Sequence, residues 1–175
     1  KYRLVGSEMC IRDRLKNKKI VIFGVANKYS IATGIARSMH DQGAELAFAY
    51  QNERLLKNIK PIAEELGSEI LIECDVSNDN SIDQAFKDLT NQWNKFDGLV
   101  HSIGFAPADQ LEGNFVDVTT REGFKIAHDI SSYSFTALAK ASKPYLNENA
   151  ALLTLTYLGS IPVSYTHLRA HETVL

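Results

Sequence analysis

Ile20-Val21-Ile22-Phe23-Gly24-Val25-Ala26-Asn27-Lys28-Tyr29-Ser30-Ile31-Ala32-Thr33-Gly34 is the stretch that decides the fold. An apolar, β-branched run enters a glycine turn, and the turn opens into a helical pattern. Strand, glycine turn and helix start are the layout of a dinucleotide site. The first turn of a helix presents N–H groups without intrahelical partners and a positive dipole end, where a pyrophosphate can sit. The spacing departs from the common G-x-G-x-x-G, because Ser30 and Ile31 stand where a glycine would be expected. Gly24 and Gly34 are expected to allow close approach of cofactor and strand.

Outward from this corner, strand and helix patterns alternate. Strands are expected at Lys19–Phe23, Glu45–Tyr50, Glu69–Cys74, Gly98–Ile103 and Ala151–Thr156, short and apolar as buried parallel strands are. Ser30 is expected to cap a helix carrying Ile31, Ile35, Ala36 and Met39 on one face and closed by Gly43. Asn52 caps a second, with Leu55, Leu56, Ile59, Ile62 and Leu66 inward, a kink or restart at Pro61 and a stop at Gly67. Ser81-x-x-Gln84 reads as a capping box before Ile82, Ala85, Phe86, Leu89 and Trp93. Thr119-x-x-Glu122 reads as another, before a long helix to Leu146 carrying Phe124, Ala127, Ile130, Ala137, Leu138 and Ala141. Such alternation predicts an α/β doubly wound parallel sheet in the order 3-2-1-4-5. A long loop, roughly 105–118, follows the fourth strand at the edge where open α/β sheets bind ligands.

Of the 175 residues, 45% are hydrophobic and 23% charged, and the net charge is −2. That balance gives no basic footprint for nucleic acid. No apolar run approaches the roughly 20 residues that span a bilayer. Two cysteines, Cys10 and Cys74, suggest no disulfide framework, so a cytoplasmic setting is expected. Lys1–Arg14 and Ile161–Leu175 lack the alternation. Their strings LVGSEMCIRDR and SYTHLRAHETVL look like translated adapter or vector sequence and are expected to be non-native. The expected division is a tail at 1–14, an incomplete dinucleotide-binding domain at 15–160 and a second tail at 161–175.

Several residues at strand ends carry candidate chemistry. Gln51 closes the second strand where most NAD sites place an acid, and its neutral amide can hydrogen-bond the adenosine end. Arg54 is close enough to meet a 2′-phosphate but reads better as a solvated helix residue, so NADH is expected over NADPH. Asp75-Val76 ends the third strand; Asp75 either accepts from the adenine amino group or merely starts a turn. In Ser102-Ile103-Gly104-Phe105-Ala106, Gly104 would let the backbone pass close to the nicotinamide ribose. Phe105 and Ala106 would enter a substrate pocket, or Phe105 simply packs. His101 reads as a packed histidine. Tyr157, after the fifth strand, either points its hydroxyl into the site or packs. No metal site is expected; His167-x-x-x-His171 has a spacing that ligands use but falls in the suspect tail.

The runs GAELAFAYQN, FDGLVHSIGFAP, TREGFKIAHDISSYSF and ALLTLTYLGS, together with the Ser30-Ile31 turn, make residues 15–160 resemble the bacterial enoyl-acyl-carrier-protein reductases. These are a divergent branch of the short-chain dehydrogenase/reductases, and the resemblance implies a Rossmann-like sheet truncated after its fifth strand. It also implies reduction of 2-enoyl thioesters by NADH in fatty acid biosynthesis, with acyl carrier protein as partner and a homotetrameric parent. On that resemblance Tyr157 matches the first of two family tyrosines. Gly24, Ser30, Ile31, Gln51, Asp75, Val76, Ser102, Ile103 and Gly104 bind the cofactor, and Phe105 and Ala106 meet the acyl group. The positions of the second tyrosine and of the family lysine hold His167 and Val174, so this chain is expected to be inactive alone. The alternatives are a non-catalytic dinucleotide-binding module and another short-chain reductase such as a ketoacyl reductase.

Overall fold

A computed structural model describes residues 14–156. Five parallel strands, β1 (Lys19–Phe23), β2 (Glu45–Tyr50), β3 (Ile70–Glu73), β4 (Phe96–His101) and β5 (Leu146–Thr154), form one sheet in the order β3-β2-β1-β4-β5. That is the expected order, with β1 paired to β2 through Val21↔Ala47 and to β4 through Val21↔Leu99. The pleat sends alternate residues to opposite faces. Ile20, Ile22, Leu46, Phe48 and Val100 pack under α1 (Ile31–Asp41) and α2 (Glu53–Glu65). Val21, Phe23, Ala47, Ala49 and Leu99 pack under α3 (Asp79–Thr90) and the helical segment that precedes β5. Both faces are buried at β1, β2 and β4, which is why these strand sequences read as largely apolar runs.

Element ends differ from expectation in ways the side chains explain. β4 ends at His101, so Ser102 and Ile103 belong to the turn beyond it. β3 is trimmed to Ile70–Glu73, although the Cys74 amide still bonds the Tyr50 carbonyl at 2.8 Å. β5 starts at Leu146, well before Ala151, because Asn147 reaches Asp97 at 3.0 Å across an irregularity between Phe96 and Gly98. Asp97 also accepts from the Lys19 amide and from Lys18 Nζ, both at 3.0 Å, and so ties β1, β4 and β5 at the end of the sheet remote from the glycine turn.

Pro61 does not restart its helix; α2 runs through it from Glu53 to Glu65. Ser81 caps nothing, because Asn78 starts α3 three residues sooner and frees the Ser81 hydroxyl to accept from the Asp75 amide at 2.9 Å. Thr120, not Thr119, caps α5 (Arg121–His128), after the single turn α4 (Phe115–Val118) that the Thr119 hydroxyl closes on the Phe115 carbonyl. The long helix expected up to Leu146 is a continuous helical run from Arg121 to Tyr145, but not one regular α-helix. A π turn over Asp129–Tyr133 separates α5 from α6 (Ser134–Ser142), and a 3₁₀ turn over Lys143–Tyr145 follows. A π turn inserts one extra residue and rotates the helix face by about 100°. Ala137 and Leu138 are therefore buried while Phe124, on the same expected stripe, is exposed.

Candidate functional site: the cleft at the β1–β4 switch point

The chain departs in opposite directions from β1 to β2 and from β1 to β4, so a crevice opens beyond the C-terminal ends of these strands. A cleft of about 250 Å³ occupies it. Gly24, Gln51, Val76, Ser102, Ile103, Gly104 and Phe105, all expected from sequence, line it. Ser30 and Ile31 stand outside that lining, at the start of α1, and neither Asp75 nor Ala106 is part of its wall.

Gly24 has φ +95°, and a Cβ there would lie 2.0 Å from the Ser102 carbonyl oxygen. Only glycine lets β1 turn this tightly against the chain leaving β4. Gly34, expected to serve close approach, has nothing within 4 Å of the position a Cβ would take. Gly104 likewise faces open space, on the cleft side.

The loop from Gly24 to α1 is fixed by polar contacts. Ser30 occupies the N-cap position, but its side chain makes no capping bond to α1. Its hydroxyl donates instead to the Asn27 carbonyl at 2.6 Å, and the buried Thr33 hydroxyl donates to the same oxygen at 2.7 Å. Asn58, from α2, donates to the Ala26 carbonyl at 3.1 Å. The cap expected of Ser30 is thus corrected: the hydroxyl shapes the turn and, among the described residues, no side chain caps the helix end. One member of the expected inward face of α1 is also corrected: Ile31 is 68% exposed, whereas Ala36 is buried in the core and Ile35 and Met39 pack against it.

At the ends of β2 and β3, Gln51 Nε2 donates to Asp75 Oδ1 at 3.4 Å. Burial raises the Asp75 pKa, but bonds from the Ser77 amide and hydroxyl and from Gln51 outweigh it and hold the carboxyl below its usual range. Asp75 therefore stays an anionic acceptor at neutral pH. Its neighbour Cys74 is buried, which pushes the thiol up to about 12 and leaves it an inert core group.

Beyond β4, His101 is 1% exposed. Ser134 Oγ donates to the Ile130 carbonyl at 2.6 Å, so it accepts from His101 Nε2 at 2.8 Å. His101 Nδ1 is then the acceptor for Thr154 Oγ1 at 3.2 Å. Burial pushes the His101 pKa down, which fits a neutral, packed histidine. Further along, Ser131 Oγ accepts from the Phe105 amide at 2.9 Å and donates to the Phe105 carbonyl at 3.1 Å. Phe105 itself is half exposed. Asn27, Thr33, Asn58, Ser131 and Ser134 were not marked by sequence reasoning. Only the paired serines of SSYS within a helical pattern offered a signal, since serine hydroxyls inside helices often bond back to the backbone.

Tyr157, His167, His171 and Val174, with residues 1–13 of the first expected tail and all of the second, lie outside the described residues. Among the described residues no group of three or more His, Cys, Asp or Glu side chains is placed to hold a metal, and no helix is long and apolar enough to cross a membrane.

Comparison with known proteins places this cleft in a family. The enoyl-(acyl carrier protein) reductase family model matches residues 24–170, extending past Ser160. The NADH-dependent enoyl-acyl-carrier-protein reductase FabI of Escherichia coli K12 is 60% identical over 146 residues, which cover 83% of this chain and 56% of that protein. The corresponding protein of Neisseria meningitidis serogroup B is 49% identical over 148 residues, covering 84% and 57%. Among solved structures, the NADH enzyme of Aquifex aeolicus VF5 superposes with a TM-score of 0.80 at 45% identity, covering 85% of this chain and 59% of that one. The Anaplasma phagocytophilum reductase, solved in complex with NAD, gives 0.79 at 40% identity, covering 85% and 56%. The chain spans less than two thirds of the length of these relatives. The glycine turn, the switch-point cleft and these matches together make the chain a member of the enoyl-(acyl carrier protein) reductase family.

Proposed function

We propose that this chain carries the dinucleotide-binding region of an NADH-dependent enoyl-acyl-carrier-protein reductase of fatty acid biosynthesis. The observation that carries the reading is the cleft at the β1–β4 switch point, bounded by a glycine turn that admits no Cβ at Gly24 and by the open backbone of Gly104. These features fit a dinucleotide lying across the C-terminal ends of the strands.

In this reading the N–H groups at the start of α1, around Ser30 and Ile31, receive the pyrophosphate. Gln51, Asp75 and Val76 hold the adenosine end. Ser102, Ile103 and Gly104 run beside the nicotinamide ribose, and Phe105 and Ala106 face the acyl chain. When bound in the full-length enzyme, the reduced cofactor would supply a hydride to the β-carbon of a 2-enoyl thioester. Tyr157 hydrogen-bonds the thioester carbonyl, where negative charge develops. His167 and Val174 stand in the sequence where the family's second tyrosine and lysine are expected, and neither side chain replaces those groups. The 175-residue chain therefore binds the cofactor weakly and turns over no enoyl thioester, because adenosine-end binding does not substitute for groups acting at the transition state.

The partner is an acyl carrier protein bearing the enoyl thioester. Nucleic acid and membrane are not partners, the full-length assembly is a homotetramer, and the setting is cytoplasmic. Titration with NADH and NADPH, followed by an NADH-oxidation assay with a crotonyl thioester, tests this. Saturable binding that favours NADH, without turnover, is expected. A preference for NADPH that is lost on Arg54→Ala would reverse the cofactor assignment, and turnover would contradict the inactivity.

A further inference from the structure

The turn Ser102-Ile103-Gly104 leaves β4 and lines the cleft, and both of its ends are held by one irregular helical segment. At the upstream end, His101 is bonded to Ser134, the first residue after the π turn. At the downstream end, both backbone polar groups of Phe105 are bonded to the Ser131 hydroxyl, inside the π turn. Ile130, from the same turn, reaches the cleft wall. A loop of three residues pinned at both ends by a single rigid element has little freedom left. π turns are rare and recur at functional sites, where the extra residue re-aims side chains.

We propose that Ser131 is a positioning residue: through its two bonds to Phe105 it fixes the Ser102–Gly104 turn at the separation from Gly24 that the nicotinamide half of the dinucleotide requires. This rests on the reading of the cleft as a dinucleotide site. Ser131 would touch neither cofactor nor substrate. Its effect is selective by geometry. Gln51 and Asp75 sit at the ends of β2 and β3, on the other side of β1, and are held by Ser77 and by each other rather than by the π turn. Loosening the Phe105 clamp should weaken contacts at the nicotinamide end and leave the adenosine end as it was.

The experiment compares the full chain with Ser131→Ala and Ser131→Thr, titrating each with NADH and with AMP. Ser131 is only partly buried, so neither change disturbs the core. Loss of one or two net hydrogen bonds corresponds to a weakening of NADH binding by about three- to tenfold in Ser131→Ala. AMP affinity should be unchanged, and Ser131→Thr, which keeps the hydroxyl, should restore NADH binding. Equal loss for both ligands would mean a general structural role and would overturn the proposal, as would NADH binding unchanged in Ser131→Ala. Amide hydrogen exchange without ligand separates this claim from the cofactor reading. Ser102–Phe105 amides that exchange at the same rate in the wild type and Ser131→Ala would overturn the clamp itself. A wild type that binds AMP but not NADH, with exchange faster in Ser131→Ala, would leave the clamp standing and remove the cofactor reading.

Discussion

Helices α1 and α3 both start at the C-terminal end of the sheet, yet their first turns are finished differently. Asn78 Oδ1 accepts from the Asn80 and Ser81 amides at 2.9 and 3.4 Å, and Asp79 adds a negative charge. α2 follows the same plan, with Asn52 accepting from Leu55 at 3.1 Å and Glu53 beside it. At α1 the Ser30 hydroxyl is spent on the Asn27 carbonyl, and the first turn contains no acid. Two helix starts are thus closed by the protein's own acceptors, while the start of α1, which follows the Gly24 turn, has no side-chain cap among the described residues and keeps its N–H groups and dipole available to an anion. Polar groups that the chain satisfies itself stabilise the fold; the set left open at α1 is the one the proposed reading gives to the pyrophosphate.

The largest effect expected from breaking this contrast is at Gly24. Gly24→Ala would drive a Cβ into the Ser102 carbonyl at a backbone angle that alanine rarely adopts. Denaturant unfolding should show a loss of at least about 2 kcal/mol, together with loss of nucleotide binding. Asn78→Ala should act on stability alone. Removing that cap costs about 1 kcal/mol and should leave NADH affinity within twofold, since Asn78 is not among the residues proposed to meet the cofactor. Nucleotide binding weakened as strongly by Asn78→Ala as by changes at α1 would erase the distinction between the two ends.

A smaller effect sharpens the contrast through His101, whose ring nitrogens are satisfied by Ser134 and Thr154. Burial holds its folded-state pKa below the ordinary 6.5. As pH falls below that value the unfolded chain takes up a proton that the folded chain refuses, so stability falls with falling pH. Asp75 and Asp97, held below the usual carboxylate range, add their own loss only in the more acidic region where they protonate. Urea midpoints measured from pH 7.5 to 5.5 should decline in the wild type and stay flatter in His101→Gln. A flat wild-type profile would mean that His101 is not held neutral.

The sheet order, both faces of the core and seven of the fifteen cleft-lining residues were legible in the sequence, because apolar runs and strand-end glycines are local signals. Gly24, Gln51, Val76 and Ser102–Phe105 sit where βα alternation placed them. What escaped depends on contacts between segments distant in the chain. Ser30 looked like a cap because nothing local shows that its hydroxyl turns back to Asn27, with Thr33 on the same oxygen. The early start of β5 follows from Asn147 meeting Asp97, fifty positions away. The π turn broke the Phe124–Ala141 stripe without a Pro or Gly to announce it. The restart expected at Pro61 is absent for the opposite reason, since Ile59, Ile62 and Ala63 are buried on either side of it and α2 stays continuous.

The central claim is that the open start of α1 receives the negatively charged part of a dinucleotide, and Ile31→Glu tests it most directly. Ile31 is exposed at the first helical position, so the change removes no core contact. A carboxylate there complements the helix dipole and should leave stability unchanged or raise it by up to about 1 kcal/mol. The same charge occupies the anion's place. The account predicts a thermal midpoint equal to or above that of the wild type, with NADH binding weakened at least about tenfold, a difference of 1.4 kcal/mol. NADH affinity unchanged in a fully folded Ile31→Glu variant would contradict it.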